Sequence, residues 1–204
     1  MHKLSADEEG PIDNVFAWLV ERAAPVFKAT GHTPNIITTY SLLLGLFAAY
    51  NLFYGNMIVF AVASVLSYFM DCADGYVARK YKMTSKFGDL YDHGSDTAIN
   101  IATATAFYMR YAGRIVWRPL TIAVTVVFGL IVALMLTHLG CQQRIHNPND
   151  RKVEESLDLL RVACPRADMI SWTRYFSCGT AKMALVAVVL FFEKFGQAKR
   201  QSAS

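Results

Sequence analysis

Acidic residues gather in one stretch of an otherwise apolar chain. Residues 71–96, DCADGYVARKYKMTSKFGDLYDHGSD, contain five aspartates, one arginine and three glycines between two apolar runs. An ionised carboxylate at mid-membrane costs about 2.5–3.5 kcal/mol on insertion scales, so several together indicate a compensating cation. Carboxylate oxygens are hard ligands that favour Mg²⁺ or Mn²⁺, and sites for such ions often hold substrate phosphates too. The stretch therefore predicts a metal and phosphate site.

The spacing of this stretch places its distinctive residues on two helical faces. Offsets of zero, three, four, seven and eight residues share one face of a helix, as do offsets of zero, four and eight. The residues concerned are Asp71, Asp74, Gly75, Ala78 and Arg79 on the first helix and Gly88, Asp92 and Asp96 on the second. Two antiparallel helices joined by a short basic loop can turn these faces toward each other. We expect a pocket with four carboxylates near its floor.

The remaining residues of the two faces suit a phosphorylated ligand. Arg79 has a planar guanidinium that can bind two phosphate oxygens at once. Gly75, Ala78 and Gly88 lack bulk, so a ligand can approach the helix backbone. Asp89 lies outside both faces, and we interpret it as a solvated charge or a residue of a helix start.

The elements that position these residues are predicted to be membrane helices. A span needs roughly 20 residues to cross a hydrocarbon core of about 30 Å. Five apolar stretches qualify, at about 36–54, 57–78, 88–110, 119–140 and 172–193. Thr33 and Pro34 mark the start of the first span, and Gly55 with Asn56 form a tight turn after it. We predict an all-α, polytopic membrane helix bundle of five or six transmembrane helices.

An amphipathic helix is expected before the first span. Residues 12–28 place apolar side chains on one helical face and charges elsewhere, and the run is too short to span. We expect it to lie at the membrane interface; packing on a soluble partner is the alternative. The domains predicted are an arm with this helix at 1–32, a transmembrane domain at 33–196 and a polar tail at 197–204.

Charge distribution predicts the orientation in the membrane. Residues 79–86 are rich in positive charge, and the N-terminal arm and residues 141–168 are also charged, so we expect these three segments in the cytoplasm together with the pocket. The membrane would be the endoplasmic reticulum in a eukaryote and the plasma membrane in a prokaryote. Arg110, Arg114 and Arg118 would be interfacial anchors on the far side, with a lipid headgroup site as the alternative.

Composition excludes some other functions. Hydrophobic residues make up 54% of the chain, above the roughly 45–50% of soluble domains. The 20 Lys and Arg against 16 Asp and Glu give too small and dispersed a positive charge to predict a nucleic-acid partner. The four cysteines have no C-x-x-C spacing, so we expect isolated thiols in helices. The first residues lack the apolar core of a cleavable signal peptide.

Residues 71–96 resemble the signature of the CDP-alcohol phosphotransferases, D-x2-D-G-x2-A-R-x8-G-x3-D-x3-D, and match all eight fixed positions. The TPNIIT segment before the first span is also similar to the family's entry into its first helix. The close resemblance covers residues 33–96. It implies an enzyme of phospholipid synthesis that transfers a substituted phosphate from a CDP-linked donor to an alcohol and releases CMP.

The resemblance also implies roles for individual residues. Asp71, Asp74, Asp92 and Asp96 would hold two Mg²⁺ or Mn²⁺ ions; of these, Asp92 and Asp96 are the catalytic candidates, with Asp96 as the base that takes the acceptor's hydroxyl proton. The small residues Gly75, Ala78 and Gly88 would make room for the cytidine nucleotide, and Arg79 would meet its diphosphate. The family often dimerises, which implies a homodimer.

The acceptor alcohol stays open between two interpretations. The DHGSD segment at 92–96 and HLGCQQ at 138–143 are similar to those of choline and ethanolamine phosphotransferases, which favours transfer from CDP-choline or CDP-ethanolamine to diacylglycerol. The alternative is transfer from CDP-diacylglycerol to inositol, serine or glycerol 3-phosphate, which the short chain favours. A divalent-cation transporter would explain the aspartates, but Arg79 would oppose cation conduction.

Two further polar residues have open roles. His93 lies about 100° from the Asp92 face, so we expect packing or hydrogen bonding behind the metal ligands rather than ligation. Arg174 enters the last span from the cytoplasmic side, where it is a candidate for an acceptor phosphate, although anchoring at the interface is the simpler interpretation. His138 and His146 are expected to be structural.

Overall fold

The computed structural model describes residues 8–111, 119–146, 162, 164 and 166–201. Within these ranges the chain is helical and contains no strand, which confirms the predicted all-α class. The helices are α1 (Pro11–Ala29), α2 (Pro34–Tyr54), α3 (Met57–Lys80), α4 (Lys86–Tyr111), α5 (Pro119–His146), α6 (Ile170–Thr173) and α7 (Cys178–Gln201). Short 3₁₀ turns, Ala167–Met169 and Arg174–Phe176, flank α6.

Several helices are suited to a bilayer. Among the described residues, four segments are long and apolar enough to cross it: Pro34–Tyr54, Met57–Lys80, Ile122–Gln142 and Ile170–Lys194. Helix α4 has 26 residues, which is long enough to span, but it carries the second polar face of the motif. The chain is an integral membrane protein.

The last predicted span begins later than expected. Instead of one helix from 172, the chain forms α6 and a 3₁₀ turn and becomes extended at Ser177, with ψ of 173°. The Ser177 hydroxyl accepts a hydrogen bond from the Thr180 N–H at 3.5 Å, which caps a new helix start. Helix α7 then continues to Gln201, so part of the predicted polar tail at 197–204 is helical.

Polar and small residues set how α2, α3 and α4 pack. Gly55 ends α2 in the left-handed region with φ of 91°, a conformation that favours glycine, and α3 returns antiparallel. Ser41 and Ser67 each donate a hydrogen bond to the other's carbonyl oxygen at 2.9 Å, which holds the two helices face to face. A Cβ at Gly45 would lie 2.6 Å from Ile99 Cγ1, so α4 contacts α2 at a point where a side chain would not fit.

Helix α1 forms where the amphipathic pattern predicts it, and its partner is α3 of the same chain. Val20 and Ala24 are buried in one cluster with Ala73 and Val77 of α3. Other apolar side chains remain exposed on α1, including Trp18 at 52%. One side of α1 therefore packs on the bundle while apolar surface remains outside it.

The prediction of four isolated thiols is wrong for two of them. Cys141 at the end of α5 and Cys164 form a disulfide, and both are fully buried beside Ile170. Their sequence separation of 23 residues matches no short cysteine motif, so the pairing depends on tertiary packing. Cys72 and Cys178 are free thiols, as expected.

Candidate functional site

The antiparallel arrangement of α3 and α4 brings the predicted aspartates together. Carboxylate oxygens of Asp71, Asp74 and Asp92 all lie within 4.8 Å of one another. Asp96 is within hydrogen-bonding reach of Asp71. The periodicity of residues 71–96 therefore predicts the juxtaposition correctly, because both faces turn toward the same interhelical space.

Helix α2 orients one of these carboxylates. The Thr38 hydroxyl donates a hydrogen bond to Asp74 Oδ2 at 2.6 Å, and Asp74 is 4% exposed. Thr38 lies one turn inside α2, whose start is fixed by the Thr33 cap and Pro34. Sequence reasoning missed Thr38, although it belongs to the TPNIIT segment. Its role depends on the pairing of α2 with α3, which the motif does not encode.

Arg79 occupies the space that Gly75 leaves open. A Cβ at Gly75 would lie 3.0 Å from Arg79 Nη1, so the missing side chain makes room for the guanidinium one turn later. A Cβ at Gly88 would lie 3.0 Å from Asn35 Oδ1, and the Gly88 N–H donates to Ser85 Oγ at 3.0 Å at the start of α4. Both glycines permit close packing around the polar site.

A first cavity opens beside these residues. It has a volume of about 130 Å³ and lies between the starts of α2 and α4 and the end of α3. Its lining includes the three small residues at fixed positions of the signature, together with the arginine and two aspartates of the cluster: Asp74, Gly75, Ala78, Arg79, Gly88 and Asp92. The structure thus collects around one space the residues that were predicted to hold a nucleotide diphosphate.

A second cavity lies on the other side of α3. Its volume is about 250 Å³, and α1, α3, α5 and α7 all contribute to it. Asp71 and Arg79 line it from α3, Glu9 and Asp13 from the N-terminal arm, and Gln142 from the end of α5. Because Arg79 also lines the first cavity, the carboxylate cluster and Arg79 lie between two separate spaces.

The walls of the second cavity are joined at one junction. Asp13 of α1 accepts a hydrogen bond from the Tyr68 hydroxyl of α3 and one from the Gly179 N–H at the start of α7, at 3.0 Å. A side chain at Gly10 would collide with Ser177, and one at Gly179 would collide with Asp13. The first turns of α1 and α7 are therefore held against α3.

Two residues outside the signature complete the polar environment. Lys182 of α7 is the basic side chain that acts electrostatically on both Asp71 and Asp96, and sequence reasoning missed it. A lysine inside an apolar helix was the available signal. His93 Nδ1 lies 3.9 Å from Asp92 Oδ2, which is beyond hydrogen-bonding distance, and its role behind the metal ligands stays a prediction.

The structure shows partners for three other polar residues. His138 is fully buried between Thr173 and Gln142. Arg174 donates to the neighbouring Tyr175 hydroxyl at 3.3 Å. Arg110 forms an ion pair with Glu193 at 2.8 Å, a contact that sequence reasoning missed, and its role as an interfacial anchor stays a prediction. Arg114 and Arg118 lie outside the described residues.

Three acidic residues with converging oxygens fit a hard divalent cation. Asp71, Asp74 and Asp92 supply carboxylate oxygens at short mutual distances, and oxygen-only ligand sets suit Mg²⁺ or Mn²⁺. When bound, such an ion supplies positive charge for phosphate oxygens and for the charge that develops in phosphoryl transfer. The residues present therefore fit the group that the motif implies.

Comparison of the sequence with known proteins matches the chain to one family and to two relatives. Residues 31–192 match the CDP-alcohol phosphatidyltransferase family, and the chain belongs to that family. It is 32% identical over 77 residues to archaetidylinositol phosphate synthase of Pyrococcus horikoshii, covering 38% of this chain and 41% of that protein. It is 33% identical over 122 residues to CDP-diacylglycerol–serine O-phosphatidyltransferase of Helicobacter pylori, covering 56% of this chain and 48% of that protein. These matches span under half the length of each relative. No solved structure matches the chain.

Proposed function

We propose that the protein is a CDP-diacylglycerol-dependent phosphatidyltransferase, in which a small alcohol displaces CMP from the lipid donor. The observation that carries the proposal is the cluster of Asp71, Asp74 and Asp92 between two cavities that share Arg79. A transferase needs a donor space and an acceptor space on either side of its reacting phosphate. The active site faces the cytoplasm in this proposal, and a homodimer stays a prediction.

The choice of donor departs from the first interpretation of the sequence. The DHGSD segment favoured CDP-choline or CDP-ethanolamine, but the relatives named above support the alternative, since one of them is named for CDP-diacylglycerol as donor.

Each polar residue has a role in the proposed reaction. The guanidinium of Arg79 binds oxygens of the donor diphosphate, and Gly75, Ala78 and Gly88 keep the first cavity open for the cytidine. Asp96 accepts the proton of the acceptor hydroxyl as its oxygen bonds to phosphorus, and positioned bases of this kind contribute roughly 10²–10⁴-fold. Asp71, Asp74 and Asp92, with Asp96, are the residues that would hold the divalent ions.

The proposal is tested with purified protein in liposomes that contain CDP-diacylglycerol and Mg²⁺ or Mn²⁺. We expect release of CMP together with a new phospholipid when a suitable small alcohol is present. Asp96→Asn should lower the rate by about 10²–10⁴-fold without loss of folded protein. Asp168→Asn makes the same change at an exposed position paired with Arg166 and should leave the rate unchanged.

Two results would contradict the proposal. If CDP-choline or CDP-ethanolamine with diacylglycerol gives lipid product and CDP-diacylglycerol does not, the donor assignment is wrong. If Asp96→Asn forms product as fast as the parent protein, another group removes the proton.

A further inference from the structure

The second cavity has a wall that the signature does not supply. Glu9 and Asp13 come from the N-terminal arm, and Gln142 comes from the last part of α5, whereas the signature ends at residue 96. Among the described residues that line this space, Asp71 and Arg79 are the two that occupy fixed positions of the signature. Residues that differ from the shared catalytic set are suited to recognising what is particular to one substrate.

The charge of this wall opposes a phosphorylated acceptor. Glu9 and Asp13 are additional to the carboxylates that would hold divalent ions, and Arg79 is the one cation among the described residues that line the cavity. Arg79 also lines the first cavity, where it has the donor diphosphate to bind. A phosphate monoester would bring about two negative charges toward two further carboxylates. An ammonium group would instead gain favourable interactions with them.

A buried hydrogen-bond chain orients Gln142. Its Nε2 lies 3.0 Å from His138 Nε2, and His138 Nδ1 lies 3.3 Å from the Thr173 hydroxyl. Because the amide nitrogen is a donor, His138 Nε2 accepts, so the neutral ring carries its proton on Nδ1 and donates to Thr173. The amide oxygen of Gln142 is then the atom able to accept a hydrogen bond from a ligand in the cavity.

The geometry of the arm fixes the position of the acidic wall. Asp13 is bonded to both Tyr68 and Gly179, and Gly10 packs closely against Ser177. Glu9 directly precedes Gly10 in the sequence and interacts electrostatically with Arg79. The arm is therefore part of the cavity wall, and its carboxylates lie on the same side of α3 as Asp71.

We propose that the second cavity binds the acceptor and that the acceptor is a small amino alcohol, with a hydroxyl and an ammonium on neighbouring carbons, as in serine or ethanolamine. This inference rests on the phosphatidyltransferase function proposed above. The ammonium lies toward Glu9 and Gln142, and the hydroxyl lies toward Asp71, which is within hydrogen-bonding reach of Asp96. The hydroxyl oxygen bonds to the phosphatidyl phosphorus, the bond from that phosphorus to the CMP oxygen breaks, and the hydroxyl proton passes to Asp96.

The direct test compares acceptors on the unmodified protein. Liposomes with CDP-diacylglycerol and Mn²⁺ receive serine, ethanolamine, inositol, glycerol 3-phosphate or inositol phosphate, and the lipid products are identified by mass spectrometry. We expect phospholipid from an amino alcohol at a kcat/KM at least about tenfold above that of the other compounds, as one charge-assisted hydrogen bond would give. Phospholipid formed mainly from inositol or a phosphorylated alcohol overturns this inference and leaves the phosphatidyltransferase function standing. Absence of product with every acceptor contradicts the function itself.

Variants of the wall separate binding of the acceptor from folding. Gln142→Leu should raise KM for the amino alcohol by about tenfold while KM for CDP-diacylglycerol changes less than about twofold; Gln142→Glu, which keeps an acceptor oxygen, should retain a low KM. Glu9→Gln should also raise the acceptor KM, whereas Glu8→Gln, the same change one residue away and outside the cavity lining, should not. Equal rises in both KM values, or no rise for the amino alcohol, overturn the assignment of this cavity.

Discussion

The two ends of the helix bundle differ in whether their charges are balanced. Where α4 ends, Arg110 donates to both oxygens of Glu193 at 2.8 Å, and the Tyr111 hydroxyl donates to the same carboxylate at 3.0 Å. Arg110 also donates to the Phe53 carbonyl oxygen at 3.2 Å. This end contains a cation and an anion that satisfy each other and tie α2, α4 and α7 together.

The other end has an excess of negative charge. Carboxylate oxygens of Asp71, Asp74 and Asp92 lie within 4.8 Å of one another, and Arg79, Lys182 and His93 are the basic side chains that act on the cluster in the described part of the chain. Carboxylates that close are unfavourable unless a further cation joins them. The comparison teaches that the balanced pair links helices, whereas the unbalanced cluster is the part of the bundle that we propose as a binding site.

Removing one carboxylate of the cluster should have the largest effect on activity. Asp71→Asn should lower phosphatidyl transfer by more than about 100-fold, since even the partners behind metal ligands account for roughly 10–100-fold. Stability without divalent ions should rise, because one of several neighbouring like charges is gone. Thermal unfolding in detergent, with and without Mn²⁺, and CMP release measure both effects.

The control for this variant is Asp168→Asn, at an exposed position. Mn²⁺ should stabilise the parent protein and the control, because an ion that binds the native state raises its stability, and it should stabilise Asp71→Asn less. Full activity of Asp71→Asn, or the same Mn²⁺ stabilisation as in the parent, would show that the cluster is not the metal site.

Breaking the balanced pair should affect stability instead of activity. Arg110→Ala leaves Glu193, whose side chain is 16% exposed, without its main partner, and loss of a charged hydrogen-bond partner at such a partly buried position costs about 1.5–3 kcal/mol. Replacing both residues by leucine should restore most of that loss, because no uncompensated charge remains. Thermal or denaturant unfolding compares these variants, and kcat per folded molecule should stay within about twofold. A loss of kcat at unchanged stability would instead give Arg110 a role in function.

The local periodicity of the motif predicted much of the site, because Asp71, Asp74 and Asp92 lie on helical faces that any antiparallel pairing of α3 and α4 brings together. The periodicity could not predict contacts between segments that are distant in the sequence. The Cys141–Cys164 disulfide and the Arg110–Glu193 pair join residues far apart in the sequence, with no shared spacing.

Helix boundaries show the same limit on a smaller scale. The start of α2 was predicted because Thr33 and Pro34 form a local cap, which the structure contains. The late start of α7 was not predicted, because the apolar pattern continues through residues 172–177 although the chain becomes extended at Ser177. The second cavity was also missed, because it needs the arm, α5 and α7 to meet on one side of α3.

The smallest of these effects should come from the hydrogen bond behind the cluster. Thr38→Val removes the hydroxyl that bonds Asp74 at 2.6 Å and keeps the volume of the side chain, so the carboxylate loses its orientation rather than its packing. We expect phosphatidyl transfer to fall by about tenfold, at the lower end of the effect of such partners, with a higher Mn²⁺ concentration needed for half-maximal rate. Thr39→Val is the matched control, since the Thr39 hydroxyl contacts Tyr91 at 3.0 Å and not an aspartate of the cluster. An unchanged Mn²⁺ requirement in Thr38→Val would mean that Asp74 is held in place by the helix packing alone.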